Sequence, residues 1–160
     1  MSTATSDTIS GPLDLRILNE GYGAGAWHGP DLKAALADVT AETAFWRPAP
    51  GRHNIAEIAL HHAFYARSVR ARLSGIDAEP FVLEGDDWFA VPDASRMSWS
   101  AILELLAREQ VQLTATVARI ADGGLQSPRS DTERFDLILG ITCHAIYHAG
   151  QVQLIKKLRE

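Results

Sequence analysis

His144 and His148 stand four residues apart. On a helix that spacing turns both rings to one side. The stripe Leu137, Ile141, His144, His148, Val152 and Ile155 advances by 4, 3, 4, 4 and 3 residues, so both histidines fall on the face a helix buries. Burying two unpaired imidazoles is costly. A shared metal ion would satisfy them, and so would hydrogen bonds to carbonyls or water. Residue 145 is alanine, so the glutamate base of an HExxH metalloprotease helix is absent. No Glu-x-x-His pair is present either, which excludes a ferritin-type di-iron site. A third ligand should come from another helix, and His61 and His62 are the candidates. Ile55, Ile58, Val69 and Leu73 define the apolar stripe of that helix. At about 100° per residue His62 falls at the centre of the stripe and His61 to one side, so periodicity alone favours His62.

Composition sets the frame for this chemistry. The 160 residues include six histidines (28, 53, 61, 62, 144 and 148) and a single cysteine, Cys143. One thiol excludes a disulfide framework within the chain and a four-cysteine zinc site, so nitrogen ligands dominate any metal site. Fifteen Lys and Arg against twenty Asp and Glu give a net charge of −5, which argues against a nucleic-acid partner. The opening MSTATSDTIS has neither a basic nor an apolar region, so no signal peptide is expected. The longest apolar run is about seven residues, against the roughly 20 needed to span a bilayer. A bacterial-type cytoplasm is the expected location.

The elements that must position the histidines are helical. Residues 1–10 are polar and expected to be disordered; residues 11–160 read as a single all-α domain, a four-helix bundle. The first helix is broken: Pro12 to Tyr22, then, after Gly21, Gly23, Gly25 and the turn Trp27-His28-Gly29-Pro30, Asp31 to Phe45. Asn54 with Glu57 reads as an N-cap of the capping-box kind, opening a second helix that Gly75 ends near Ser74. Ser98 caps a third helix to about Ala121, and a fourth runs from Asp131 to Leu158. The first and last links are short, which makes each pair antiparallel. The link over residues 76–97 is a long crossover loop between helices 2 and 3. Extended, it covers about 70 Å, against a helix length of about 30 Å for 20 residues. The bundle can therefore run up-down-down-up.

Asn54-Ile55-Ala56-Glu57-Ile58-Ala59-Leu60-His61, continuing through Ala63-Phe64-Tyr65 to Arg72-Leu73-Ser74-Gly75, resembles the second helix of the DinB-like (YfiT-like) superfamily of metal-binding four-helix bundles. His144-Ala145-Ile146-Tyr147-His148-Ala149-Gly150-Gln151 is similar to that family's last-helix signature, HxxYHxGQ. Trp27-His28-Gly29-Pro30 also recurs in some members. The resemblance implies one divalent metal ion held by three histidines. The helix-two ligand lies four residues after the glutamate of an I-x-E-x-x-x-H pattern, which places it at His61. Position 62 is usually apolar in the family. The metal set implied is thus His61, His144 and His148, with His62 the rival from periodicity.

Three neutral imidazoles leave a tetrahedral ion one open position, as in catalytic sites. Imidazole suits zinc, nickel and iron alike. The open position can hold water or a thiolate; attack by a metal-held thiolate needs no general base, and no obligatory buried carboxylate base is evident in the sequence, so a low-molecular-weight thiol is the expected substrate. The resemblance agrees, since the superfamily includes thiol-using S-transferases and isomerases. The alternatives are a hydrolase using metal-bound water and a non-enzymatic metal-binding stress protein. Glu57, Tyr65 and Tyr147 are candidate catalytic groups; helix capping for Glu57 and packing for the tyrosines are the structural alternatives. Cys143 lies about 100° from His144 on the helix and is expected to be a small core residue. His28 and His53 are expected bystanders, Asp86, Asp87, Trp88 and Phe89 a possible cover, and Gln151 and Gln153 surface decoration. A small-molecule substrate and a homodimer complete the expectation, with no membrane partner.

Overall fold

The structure, a computed structural model, describes residues 13–23 and 25–160. The disordered segment expected over residues 1–10 lies outside the described residues. Helices are the regular elements found among the described residues: α1 (Leu13–Gly21), α2 (Leu32–Leu36), α3 (Ala41–Phe45), α4 (Ile55–Ser74), α5 (Trp99–Ala121) and α6 (Asp131–Arg159). None of them is long and apolar enough to cross a membrane.

The long helices begin and end where local chemistry dictates. Asn54 Oδ1 accepts the Glu57 N–H at 2.8 Å and opens α4. Gly75 closes α4 in the left-handed region (φ 70°), donating its N–H to the Ala71 carbonyl. Ser98 caps α5 through the Ala101 N–H. Ser130 and Glu133 form a reciprocal capping box at the start of α6. Lys156, Lys157 and Arg159 occupy the last turn of α6, where the helix dipole favours cations.

The stretch expected as one helix from Asp31 to Phe45 is two short ones. Thr40 Oγ1 accepts the Thr43 N–H and starts a new helix. The Val39 carbonyl is taken by the Trp99 indole N–H at 2.8 Å. A side-chain cap and a tertiary hydrogen bond thus replace the backbone ladder.

α4 packs against α5 and α6, α1 against α6 and α5, and α2 against α6. Two apolar clusters form the core. One gathers Leu36, Leu60, Ala63, Leu106, Ala145 and Val152. The other gathers Leu18, Ala66, Val69, Leu113, Ile138 and Ile141. α4 therefore leaves the first cluster between Ala63 and Ala66, and α6 leaves the second between Ile141 and Ala145. The paired histidines of both helices lie next to that junction.

α1 approaches α6 closely through Gly21. A Cβ there would lie 2.9 Å from the Ala145 Cβ and 3.0 Å from the Thr142 carbonyl oxygen. Gly21→Val is expected to destabilise the protein by about 1–3 kcal/mol through overpacking. An unchanged urea midpoint for the variant would contradict this contact.

Candidate metal centre

α4 and α6 bring three imidazoles to one point. His144 Nε2 lies 3.2 Å from His61 Nε2 and 3.1 Å from His148 Nε2. Each ring offers one nitrogen, and the three nitrogens lie within 4.8 Å of one another, a grouping that could hold a metal ion. The structure groups His61, and not His62, with the α6 pair. His62 lies one step further into the core, fully buried, with its Nδ1 3.0 Å from His144 Nδ1.

The outer nitrogens are committed to protein acceptors. His61 Nδ1 donates to the Asp87 carbonyl at 2.8 Å. His148 Nδ1 donates to Gln151 Oε1 at 2.6 Å. Those bonds put each proton on Nδ1 and leave the Nε2 lone pairs pointing into the cluster. Such lone pairs are what a metal ion requires of histidine, so the donor set fits a divalent ion.

Burial keeps the rings neutral. It pushes His144 down to about 3, with the neighbouring His148 and His61 adding to the effect. It pushes His148 down to about 4, against the opposing hydrogen bond from Gln151. It lowers His61 as well, opposed by Asp87.

The loop over residues 76–97 covers the site. The Trp88 ring stacks at 3.7 Å on His53 and at 3.8 Å on His61, nearly parallel to both. Two rings so close to one centroid must occupy its opposite faces, so Trp88 is sandwiched between them. Asp87 contributes twice: its carbonyl holds His61, and its Oδ2 accepts the Tyr65 hydroxyl at 3.1 Å. Tyr65 meets His61 edge-on at 4.9 Å and His144 at 5.1 Å. Burial and the Asp87 carboxylate raise its pKa, so it stands beside the site as a neutral donor.

Glu57 anchors this cover. Although buried, which alone would raise its pKa, it is held below the usual carboxylate range by Arg47, His53 and the Val91 N–H. Arg47 meets it at 2.6 and 3.0 Å, His53 Nδ1 at 2.9 Å and Val91 N at 3.1 Å. The carboxylate thus ties the loop to α4, where the capping-box pattern would have turned it back to Asn54. Asn54 Nδ2 adds a bond to the Val91 carbonyl at 2.9 Å.

The other candidates lie further out. Tyr147 is exposed, with its ring 5.4 Å from that of His148. Cys143 is a free, exposed thiol where a core position was expected. His28 is exposed and bonded to the Glu20 carbonyl. His53, expected to be a bystander, joins Glu57 to Trp88. Gln151, expected to be decoration, holds His148; its position three residues on in the same helix was the available signal.

A family model described as the DinB superfamily matches residues 26–152. No curated protein and no solved structure matches the chain.

The buried rings set a pH dependence for the metal-free protein. Unfolded, a histidine takes up its proton near 6.5; folded, His144 and His148 do so only near 3 and 4. Between those values the unfolded chain binds more protons, so stability is full above pH 6.5 and falls as the pH drops. A lower urea midpoint is expected at pH 5.5 than at pH 7.5, a window above the carboxylate titrations. Equal midpoints would contradict the burial of neutral histidines.

Proposed function

The chain belongs to the DinB superfamily, and from that premise we propose that His61, His144 and His148 hold one divalent metal ion, zinc, nickel or iron, in a transferase acting on a low-molecular-weight thiol. The observation that carries the proposal is the convergence of three Nε2 atoms, two of them with the Nδ1 proton already given to Asp87 and Gln151. An ion bound by three neutral imidazoles supplies a Lewis acid with an open position, which favours the deprotonated form of a thiol or of water.

The protein's own groups support the thiol over water. Hydrolysis benefits from a free general base, whereas a thiolate attacks an electrophile without one. The Glu57 carboxylate is saturated by Arg47, His53 and Val91, so it is not free to take a proton. Tyr65 gives its one hydroxyl proton to Asp87 and, with its ring beside His61 and His144, bounds the space where an electrophile would sit. Tyr147 can contact substrate only from the exposed rim. A cleft of about 400 Å³ between α4 and α6 reaches Tyr65 and His144 and continues past Val69 and Ile141 to Arg72 and Arg129. Its size suits a small molecule. Hydrolysis is the second reading, and Asp87 is what favours it: it is the carboxylate bonded to Tyr65 beside His61.

The same proposal includes one bundle over residues 11–160, running up-down-down-up, with residues 76–97 as the crossover. The order in which the core clusters are met supports it: α4 and α5 both run from the first cluster to the second, and α6 runs back. A homodimer is supported by an exposed apolar face on α6, formed by Phe135, Leu139, Tyr147, Leu154 and Leu158.

Elemental analysis should find one divalent metal per chain, with loading lost in His61→Ala and in His148→Ala. Loss in His62→Ala but not in His61→Ala would overturn the ligand set. In the cobalt-loaded protein, 2-mercaptoethanol should produce a sulfur-to-cobalt charge-transfer band. Turnover of p-nitrophenyl acetate without thiol, abolished in Asp87→Asn, would instead establish the hydrolase.

A further inference from the structure

His62 is the one core histidine that the three-ligand set leaves unused. It is fully buried, its Nδ1 faces His144 Nδ1 at 3.0 Å, and its Nε2 has no hydrogen-bond partner among the described residues. A packing role would be served by an apolar side chain without stranding a polar atom, so the ring's chemistry needs an explanation. Two facing Nδ1 atoms at this distance share a single proton, one ring donating and the other accepting.

Which ring donates depends on what occupies the cluster. His61 and His148 have their protons on Nδ1 and present bare Nε2 atoms to His144 Nε2 at 3.2 and 3.1 Å. Without an ion, a proton on His144 Nε2 serves both acceptors. His144 Nδ1 is then bare and accepts from the His62 Nδ1–H. With an ion, His144 must present a lone pair at Nε2, so its own proton moves to Nδ1. That proton needs an acceptor, and the facing atom is His62 Nδ1.

We propose that His62 is a positioning residue for His144, and that the pair exchanges tautomers when the site is loaded. One proton crosses the Nδ1···Nδ1 hydrogen bond from His62 to His144. The proton that leaves His144 Nε2 is matched by one gained at His62 Nε2 through transient opening of the fold, since that atom is closed to solvent; the loaded pair then carries one unpaired N–H, a cost that the ion's bond to His144 must exceed. The pair holds two protons before and after, and neither ring changes charge. His62 does for His144 what the Asp87 carbonyl does for His61 and Gln151 does for His148, and unlike the Asp87 carbonyl it can also donate. This inference rests on the three-histidine site proposed above.

The test compares zinc affinity, by chelator competition at one fixed pH, for the wild type, His62→Phe and His62→Asn. Phenylalanine fills the space but offers no acceptor; asparagine places a carbonyl oxygen near the position of Nδ1. His62→Phe should bind zinc about 10–100-fold more weakly, the usual effect of losing a partner behind a ligand. His62→Asn should recover affinity to within a few-fold of wild type. In the wild type, nitrogen-15 NMR of the imidazoles should show His62 protonated at Nδ1 without zinc and at Nε2 with it; this needs no variant to fold. An unchanged His62 tautomer, or a folded His62→Phe that binds zinc as tightly as wild type, overturns the inference and leaves the metal site standing. A wild type that binds no zinc overturns both.

Discussion

A neutral imidazole offers a lone pair at Nε2 only when its proton sits on Nδ1, and a buried N–H needs an acceptor. The architecture around the histidine cluster follows from that constraint. Three rings converge from two helices, and each outer nitrogen has a partner from a different source: a loop carbonyl, a side chain one helical turn on, and another buried histidine. Removing any one of these would leave the ring in place but free its tautomer. The precision of the cluster thus lies behind the three rings as much as in them.

The fold supplies those partners. α6 carries both His148 and Gln151, so one helix holds a ring and its acceptor at a spacing of three residues. The acceptor for His61 comes from a loop, and a loop carbonyl is useful only if the loop is fixed. Glu57 fixes it, gripping the Val91 N–H while pairing with Arg47 and His53. Trp88, between His53 and His61, completes the cover. The buried carboxylate at the start of α4 therefore controls the geometry of a ring one turn further along.

Much of this was legible in the residue order. The caps Asn54 and Ser98 and the stop at Gly75 mark the long helices because capping is local chemistry. His144 and His148 declare themselves by spacing. The helical wheel of α4 identified the most buried histidine, His62, but the ring grouped with the α6 pair is His61. A ring at a helix–helix–loop junction sits at the flank of the apolar stripe, and only the family pattern carried that register. What stayed hidden depends on distant contacts: the bond from Trp99 to Val39 that helps divide α2 from α3, the reach of Glu57 to Val91, and the bond from His61 to Asp87. None of these leaves a periodic trace in the chain.

The metal site proposed for this chain comprises His61, His144 and His148, with His62 behind His144. The most direct measurement is an anomalous difference map from crystals of the zinc-loaded protein. A single strong peak is expected about 2.0–2.1 Å from the Nε2 atoms of His61, His144 and His148, with His62 bonded through Nδ1 to His144 and not to the ion. A peak ligated by His62, or none among these rings, would contradict it.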